Sequence, residues 1–229
     1  MQPVRRTSLI AQVTDQLRAE IAAGRWPVGE RIPTEPELAE LTGTGRNTVR
    51  EAVQALVHAG MLERRQGSGT YVIATSDLCG TLAKYFASAH ARDVLELRQT
   101  LDVTAAALAA RRRDSADIEN LRRLLETRNL LWRNADDATE NDTAAAVAAD
   151  VALHRAIVAA SHNEVYLEFY DSLLPAITAT ITEQPVDPPH SYEAEHAELV
   201  QAVVDGDGER AATVARLFLT ELIEKRAEG

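Results

Sequence analysis

Apolar residues recur every three or four positions from the start of the chain. Leu9, Ile10, Val13, Leu17 and Ile21 share one face of a helix predicted over residues 8–23, which Gly24 ends. A shorter helix is predicted from Glu35 to Leu41, with Thr34 placed to cap it and Pro36 in its first turn, where a missing N–H costs little. Thr42-Gly43-Thr44-Gly45 reads as a tight turn, and RNTVREAVQALVHAG follows, with Val49, Val53, Leu56 and Val57 at helical spacing and Gly60 as its stop. Beyond Gly60 the period shortens. Met61 to Arg65 and Thr70 to Val72 are strand-like runs joined by Gln66-Gly67-Ser68-Gly69. Residues 1–75 therefore predict a helix-turn-helix with a small two-stranded wing.

Ala74-Thr75-Ser76-Asp77 breaks the strand pattern, and from there the chain is rich in alanine and leucine and poor in glycine. The periodicity predicts helices over roughly 78–90, 93–113, 115–132, 143–161, 163–181, 190–205 and 208–226. Ser115 with Asp117 marks a helix start, Asn134-Ala135-Asp136-Asp137 a loop and Pro185 to Pro189 a break. Such a pattern implies an antiparallel all-α bundle of six or seven helices over residues 76–229, and a mainly α fold for the whole chain.

Charge divides the chain at the same place. The net −11 conceals a first part with 9 basic against 8 acidic residues, +1, and a second part with 15 against 27, −12. The first part can still present a positive face, because Arg5, Arg6, Arg46, Arg50, Arg64 and Arg65 cluster in the segments predicted to meet DNA. No apolar run approaches the roughly 18 residues of a membrane span and nothing resembles a signal peptide, so a soluble, cytoplasmic protein without membrane contact is expected. The single cysteine, Cys79, excludes an internal disulfide and a thiolate-rich metal site and reads as a buried apolar residue.

The chemistry falls in two places. Arg46, Asn47, Thr48 and Arg50 crowd the first turn of the third helix and supply guanidiniums, an amide and a hydroxyl, groups that bridge phosphates or meet base edges in a major groove. Thr34, Arg65 and Gly67 are further candidates for DNA contact, Gly67 because a wing glycine lets backbone approach a groove closely; Arg5 and Arg6 are candidates for phosphates. Arg64 and Arg65 alternate faces, so one of them is expected to face DNA. In the acidic part, Asp150 and His154 lie four apart on one helix face, where they suit either a hydrogen-bonded pair or a divalent metal, with His196 as a third ligand from another helix. The remaining histidines, His58, His90, His162 and His190, read as structural or surface residues.

Pro33 to Val72, with its threonine-valine-arginine-glutamate-alanine core and glycine-bearing wing, resembles the winged helix of GntR-family bacterial transcription regulators, and LIAQVTDQLRAEIAAGRWPVGERIP resembles that family's opening segment. Two positions depart from the pattern: Pro36 stands where a DNA-contacting arginine is usual, and Gly45 where a capping serine or threonine is usual. The acidic part, through LELRQTLDVTAAALAARR, AADVALHRAIVAASHN and AEHAELVQAVVDGDGERAATVARLFL, is similar to the FCD-type ligand-binding domain of the family's FadR branch.

That resemblance implies a dimer on a palindromic operator, repression released by a small effector, and in many members a metal held by one aspartate and three histidines. Asp150, His154 and His196 fall on the first three ligand positions and Phe218 on the fourth, which leaves either a three-ligand zinc, nickel or manganese site or a pocket given over to apolar contacts. Arg98 falls on the pocket-facing side of its helix, where it can pair with an effector carboxylate or with Asp102 one turn on. Leu78, Leu82 and Phe86, next to the linker, are candidates for coupling the effector to DNA or for plain core. The competing readings are a metal-dependent enzyme built on Asp150, His154 and His196, and an architectural DNA binder without effector.

Overall fold

The computed structural model describes residues 8–133, 140–183 and 192–227. Arg5, Arg6, His190, the 134–137 loop and the 185–189 break lie outside them. Chain contacts divide between Tyr85 and Phe86 into two compact units. This division falls ten residues later than the boundary expected after residue 75, because the next helix joins the N-terminal unit for most of its length.

The N-terminal unit contains α1 (Leu9–Ala22), α2 (Glu35–Thr42), α3 (Arg46–His58), β1 (Leu62–Arg65), β2 (Gly69–Val72) and α4 (Asp77–Phe86). Each boundary has a local cause. Ser8 caps α1 through its hydroxyl, which accepts from the Ala11 N–H at 3.2 Å. At α2 the carboxylate of Glu37 accepts both the backbone N–H and the hydroxyl of Thr34 at 2.7 Å, closing the helix start on itself. Gly45 begins α3 in an extended conformation with no side-chain bond, and Gly60, at φ +76°, turns the chain into the wing. The strands pair antiparallel from Leu62 opposite Val72 to Arg65 opposite Gly69.

The core of this unit is the apolar stripe of α1 packed on that of α3. Val13, Leu17 and Ile21 meet Val49, Val53 and Leu56, with Leu38, Met61 and Val72 closing the sides. Cys79 is buried and unoxidised in α4. That helix lies so close to the α3 exit that a Cβ on Gly80 would stand 2.4 Å from the carbonyl oxygen of Gly60.

Among the described residues the C-terminal unit contains α5 (Ala91–Arg112), α6 (Ser115–Arg133), α7 (Glu140–Ala159), α8 (Glu164–Glu183), α9 (Glu193–Asp205) and α10 (Gly208–Ala227). The fold is thus mainly α, a winged helix-turn-helix followed by an all-helical bundle. The central helix is α5, which packs against α7, α8, α9 and α10. Its inward stripe ends in Ala105, Ala106, Ala109 and Ala110, all fully buried, and these small side chains let neighbouring helices approach closely. Nearer its start the same stripe carries Arg98 and Asp102, also buried. Charges placed on the inward face of the central helix oblige the bundle to build a polar interior around them.

Candidate nucleic-acid interface and buried histidine site

The first turn of α3 separates its residues by face. Val49, Ala52, Val53 and Leu56 point into the core, leaving Arg46, Asn47 and Arg50 exposed and Thr48 half-buried. Because the helix has no side-chain cap at Gly45, its first backbone N–H groups and the positive end of its dipole also face this surface, a natural seat for phosphate. The wing arginines are used differently from one another. Arg64 donates to Glu35 and to Gln54, each at 2.9 Å, tying the wing to α2 and α3. Arg65 pairs with Glu63 at 2.8 Å and lies 4.4 Å from the ring centroid of Tyr71. Gly67 is at φ +74° on the open wing tip. Arg31, which the sequence reading passed over, crosses the wing beside Gly69 and donates to the Ser68 carbonyl at 3.3 Å.

The second site lies inside the bundle, and every helix of the unit supplies a part of it. Asp150 and His154 come from α7, His196 from α9, Phe218 from α10, Arg98 and Asp102 from α5, Arg128 from α6 and Tyr170 from α8, all buried. The predicted bond between Asp150 and His154 does not form, since their nearest atoms are 3.9 Å apart. Instead His154 Nδ1 lies 3.0 Å from Asp102 Oδ2, while Asp150 Oδ1 accepts from Arg128 Nε at 2.7 Å and lies 3.2 Å from His196 Nε2. Helical spacing placed the two residues on one face, but the rings and carboxylates turn to partners on other helices.

These partners settle the histidine tautomers. His154 Nδ1 faces a carboxylate and His196 Nδ1 faces the Tyr192 carbonyl at 2.6 Å, so each Nδ1 carries the hydrogen. In the neutral rings the two Nε2 lone pairs then point at one another across 3.1 Å, with Asp150 beside them. Three lone-pair donors converging in a buried space call for a proton or a cation. Four-coordinate metal sites with bonds of about 2.0–2.1 Å place their donors roughly 3.3 Å apart, close to the 3.1 Å between the two Nε2 atoms and the 3.2 Å from His196 Nε2 to Asp150 Oδ1, while the other Asp150 oxygen lies 3.9 Å from His154 Nε2. The outer bonds from Asp102 and the Tyr192 carbonyl are those that orient metal-bound imidazoles. Asp150, His154 and His196 therefore fit a divalent metal.

Phe218 closes the fourth side. Its ring stacks on His154 with centroids 6.1 Å apart and meets His196 edge-on at 4.8 Å. It belongs to an apolar cluster with Leu95, Tyr192, Leu219 and Leu222. On its other side it lines a cleft of about 600 Å³ between α9 and α10, whose walls include Glu195, Glu198 and Glu221.

Burial works against the charge of Asp150, but His196, His154 and Arg128 outweigh it and hold the carboxyl well below its ordinary range. For Asp102 burial is likewise outweighed, by the His154 bond and by Arg98. Burial, reinforced by Arg98, lowers His154. Arg98 itself bonds Asp102 through Nε at 3.3 Å, the ion pair expected one helical turn on, yet its Nη2 atom has no partner. Tyr192, at φ +47°, holds a conformation that costs a non-glycine residue on the order of 1–3 kcal/mol. That backbone directs its carbonyl onto His196. A second acid and histidine group, Asp114, Asp117 and His162, is more exposed and is accounted for by the start of α6, where the two aspartates bond each other's backbone and His162 meets Asp117 at 2.7 Å.

Of the predicted residues, Asp150, His154, His196, Arg98 and Phe218 are thus brought together, and Asp102 joins them. Arg128, Tyr170 and Tyr192 were not foreseen. One arginine among the four of the charged α6, and tyrosines at helical spacing, carry no signal that separates them from surface or core.

Known proteins carry the same two-part arrangement. Residues 9–72 match the family described as bacterial regulatory proteins, gntR family, and residues 93–221 match the FCD domain. An Escherichia coli (strain K12) protein described as an L-lactate dehydrogenase operon regulatory protein is 30% identical over 231 residues, covering 94% of this chain and 86% of its own. The HTH-type transcriptional regulator LutR of Bacillus subtilis (strain 168) is 28% identical over 214 residues, 88% of this chain and 94% of its own. A solved Streptococcus agalactiae GntR structure superposes with a TM-score of 0.59 at 27% identity, covering 94% of this chain and 99% of that one. The reading as a metal-dependent enzyme falls with these matches, and no described helix is long and apolar enough to cross a membrane. The N-terminal unit is thus the helix-turn-helix domain of a transcription regulator and the C-terminal unit its FCD effector-binding domain: the chain belongs to the GntR family of bacterial regulatory proteins, in the group that carries an FCD domain.

Proposed function

We propose that this regulator belongs to the FadR branch and acts in the cytoplasm as a homodimeric repressor, released from a palindromic operator by a small carboxylate-bearing metabolite. The observation that carries the effector reading is the Arg98 guanidinium, 1% exposed, with Nη2 unpartnered in the bundle interior. A buried cationic N–H without an acceptor is costly, and a carboxylate is its natural complement. The charge balance points the same way. Arg98 and Arg128 are already offset by Asp102 and Asp150, so a divalent metal on Asp150, His154 and His196 brings positive charge that an anionic ligand neutralises. Zinc, nickel or manganese would supply Lewis acidity and an open coordination position there. Phe218 would line the pocket beside it.

On the DNA side, Arg46, Asn47, Thr48 and Arg50 enter the major groove, one reading helix per half-site as two-fold symmetry requires. Arg5, Arg6, Thr34, Arg65 and Gly67 contact the backbone around them. The Thr34 hydroxyl, held by Glu37, keeps an oxygen free to accept but has its proton engaged. Effector binding shifts the population between a DNA-competent and an incompetent arrangement of the dimer, in proportion to its differential affinity for the two. The test is a mobility-shift titration of the chain on its own upstream DNA, with Arg46→Ala and Arg50→Ala singly and together. Each single change is expected to weaken binding about tenfold or more and to flatten the salt dependence by roughly one counterion. Retained binding in the double variant would overturn the DNA assignment.

A further inference from the structure

The wing carries a guanidinium from outside its own two strands. Arg31 pairs with Tyr71 as an isolated antiparallel bridge. The Ile32 N–H donates to the Thr70 carbonyl at 2.9 Å and the Val72 N–H to the Glu30 carbonyl at 3.0 Å, so residues 30–32 lie as a third row beside β2. Residues opposite one another in such a ladder share a face, and faces alternate along each strand. Glu63, Arg65, Gly69, Tyr71 and Arg31 therefore share one face of the wing, and Arg64 and Thr70 the other. Gly69 leaves that face open, since a Cβ there would stand 2.8 Å from Arg31 Cδ. The Arg31 stem crosses this glycine and its Nη1 donates to the Ser68 carbonyl at 3.3 Å, which puts the guanidinium at the wing tip.

The arginines around the wing differ in what already holds them. Arg64 is tied to Glu35 and Gln54, and Arg65 is paired with Glu63 and lies over Tyr71. Arg31 is exposed and, among the described residues, forms no ion pair. Its only company at the tip is Gln66-Gly67-Ser68-Gly69, where two of four residues have no side chain to hold the backbone away from a groove. Through Arg64 the wing is fastened to Gln54 of α3. With α3 in a major groove, an element fastened beside it meets the adjoining minor groove across one phosphate backbone. A narrow A·T minor groove concentrates negative potential and attracts an inserted arginine. We infer that Arg31, and not an arginine of the wing strands, enters the minor groove beside each half-site and gives the protein a preference for an A·T run there. The inference rests on α3 reading the major groove and adds a position read by groove shape.

The test uses the full-length protein and duplexes enriched by it from a random pool. The enriched sequences should share a set of bases read by α3 and, at a fixed distance from them, an A·T run. In fluorescence anisotropy the parent should bind an enriched duplex about five times more tightly, or better, than the same duplex with that run replaced by G·C. Arg31→Ala should bind the two within about twofold. Its melting temperature should match that of the parent, because the exposed side chain gives up a single bond at 3.3 Å. Enriched sites without an A·T run, or undiminished discrimination in Arg31→Ala, would overturn the inference and leave the α3 assignment standing. So would a loss in Arg31→Ala that is equal on both duplexes, the mark of a phosphate contact. A pool sharing no bases at all would overturn this inference and the α3 assignment together.

Discussion

His154 and His196 face each other through Nε2 at 3.1 Å, each with its Nδ1 hydrogen already given to an oxygen, so the gap between them attracts a cation. Metal content by mass spectrometry on protein purified without chelator should therefore give about one divalent ion per chain, lost in His154→Ala. Replacing Phe218, whose ring centroid is 4.8 Å from that of His196, with histidine supplies a fourth imidazole and should tighten binding about tenfold or more in a chelator competition. Metal retained by His154→Ala would place it elsewhere.

Arg128 and Asp150 form a buried pair at 2.7 Å, with the guanidinium also within 5.5 Å of the Trp132 ring centroid. Arg128→Met strands the carboxylate without its cation, a loss of roughly 3–5 kcal/mol by denaturant unfolding. Removing the carboxylate as well, in Arg128→Met with Asp150→Leu, should recover much of that loss. A double variant as unstable as the sum of the singles would show that the two residues act independently.

Gly80 touches Gly60 through backbone alone. Alanine at position 80 would meet the Gly60 carbonyl carbon at 2.6 Å as well as its oxygen, and neither can yield without moving the α3 exit. Gly80→Ala should destabilise the N-terminal unit by about 1–3 kcal/mol and weaken DNA binding by displacing the α3 exit. Gly67→Ala, in open space at the wing tip, serves as a contrast: its cost is confined to the left-handed backbone, at about 1 kcal/mol. Equal melting temperatures for Gly80→Ala and the parent would contradict the contact.

The Tyr170 phenol is pushed well above its ordinary value of 10.0, first by burial and then by Asp102. The sign follows from linkage: a group whose folded value is raised contributes stability that is complete below the unfolded value and lost as pH rises through the folded one. Melting temperature should fall above about pH 10, where the unfolded chain gives up this proton. The fall should be shallower in Tyr170→Phe. Ultraviolet titration should find one tyrosine fewer ionising late in the variant.

The elements and their order are legible in the amino-acid pattern alone. Period-3.6 stripes such as Leu17–Ile21 in α1 and Val49–Val53–Leu56 in α3, stopped by Gly24 and Gly60, identify helices because burial of one face and the end of a helix are both local matters. Spacing likewise brought Arg46 and Arg50 to one exposed turn and Asp150 and His154 to one face. What it could not determine is which way a buried polar side chain turns. His154 bonds Asp102, 52 residues away in sequence, and not Asp150 four residues before it; Arg128, silent in the pattern of α6, reaches Asp150 from another helix. Hydrogen bonds inside a bundle are chosen by distance across helices, and only tertiary packing buries Tyr170 of α8 beside Arg98 and Asp102 of α5. Period reports which face is buried; it carries no record of the partner waiting there.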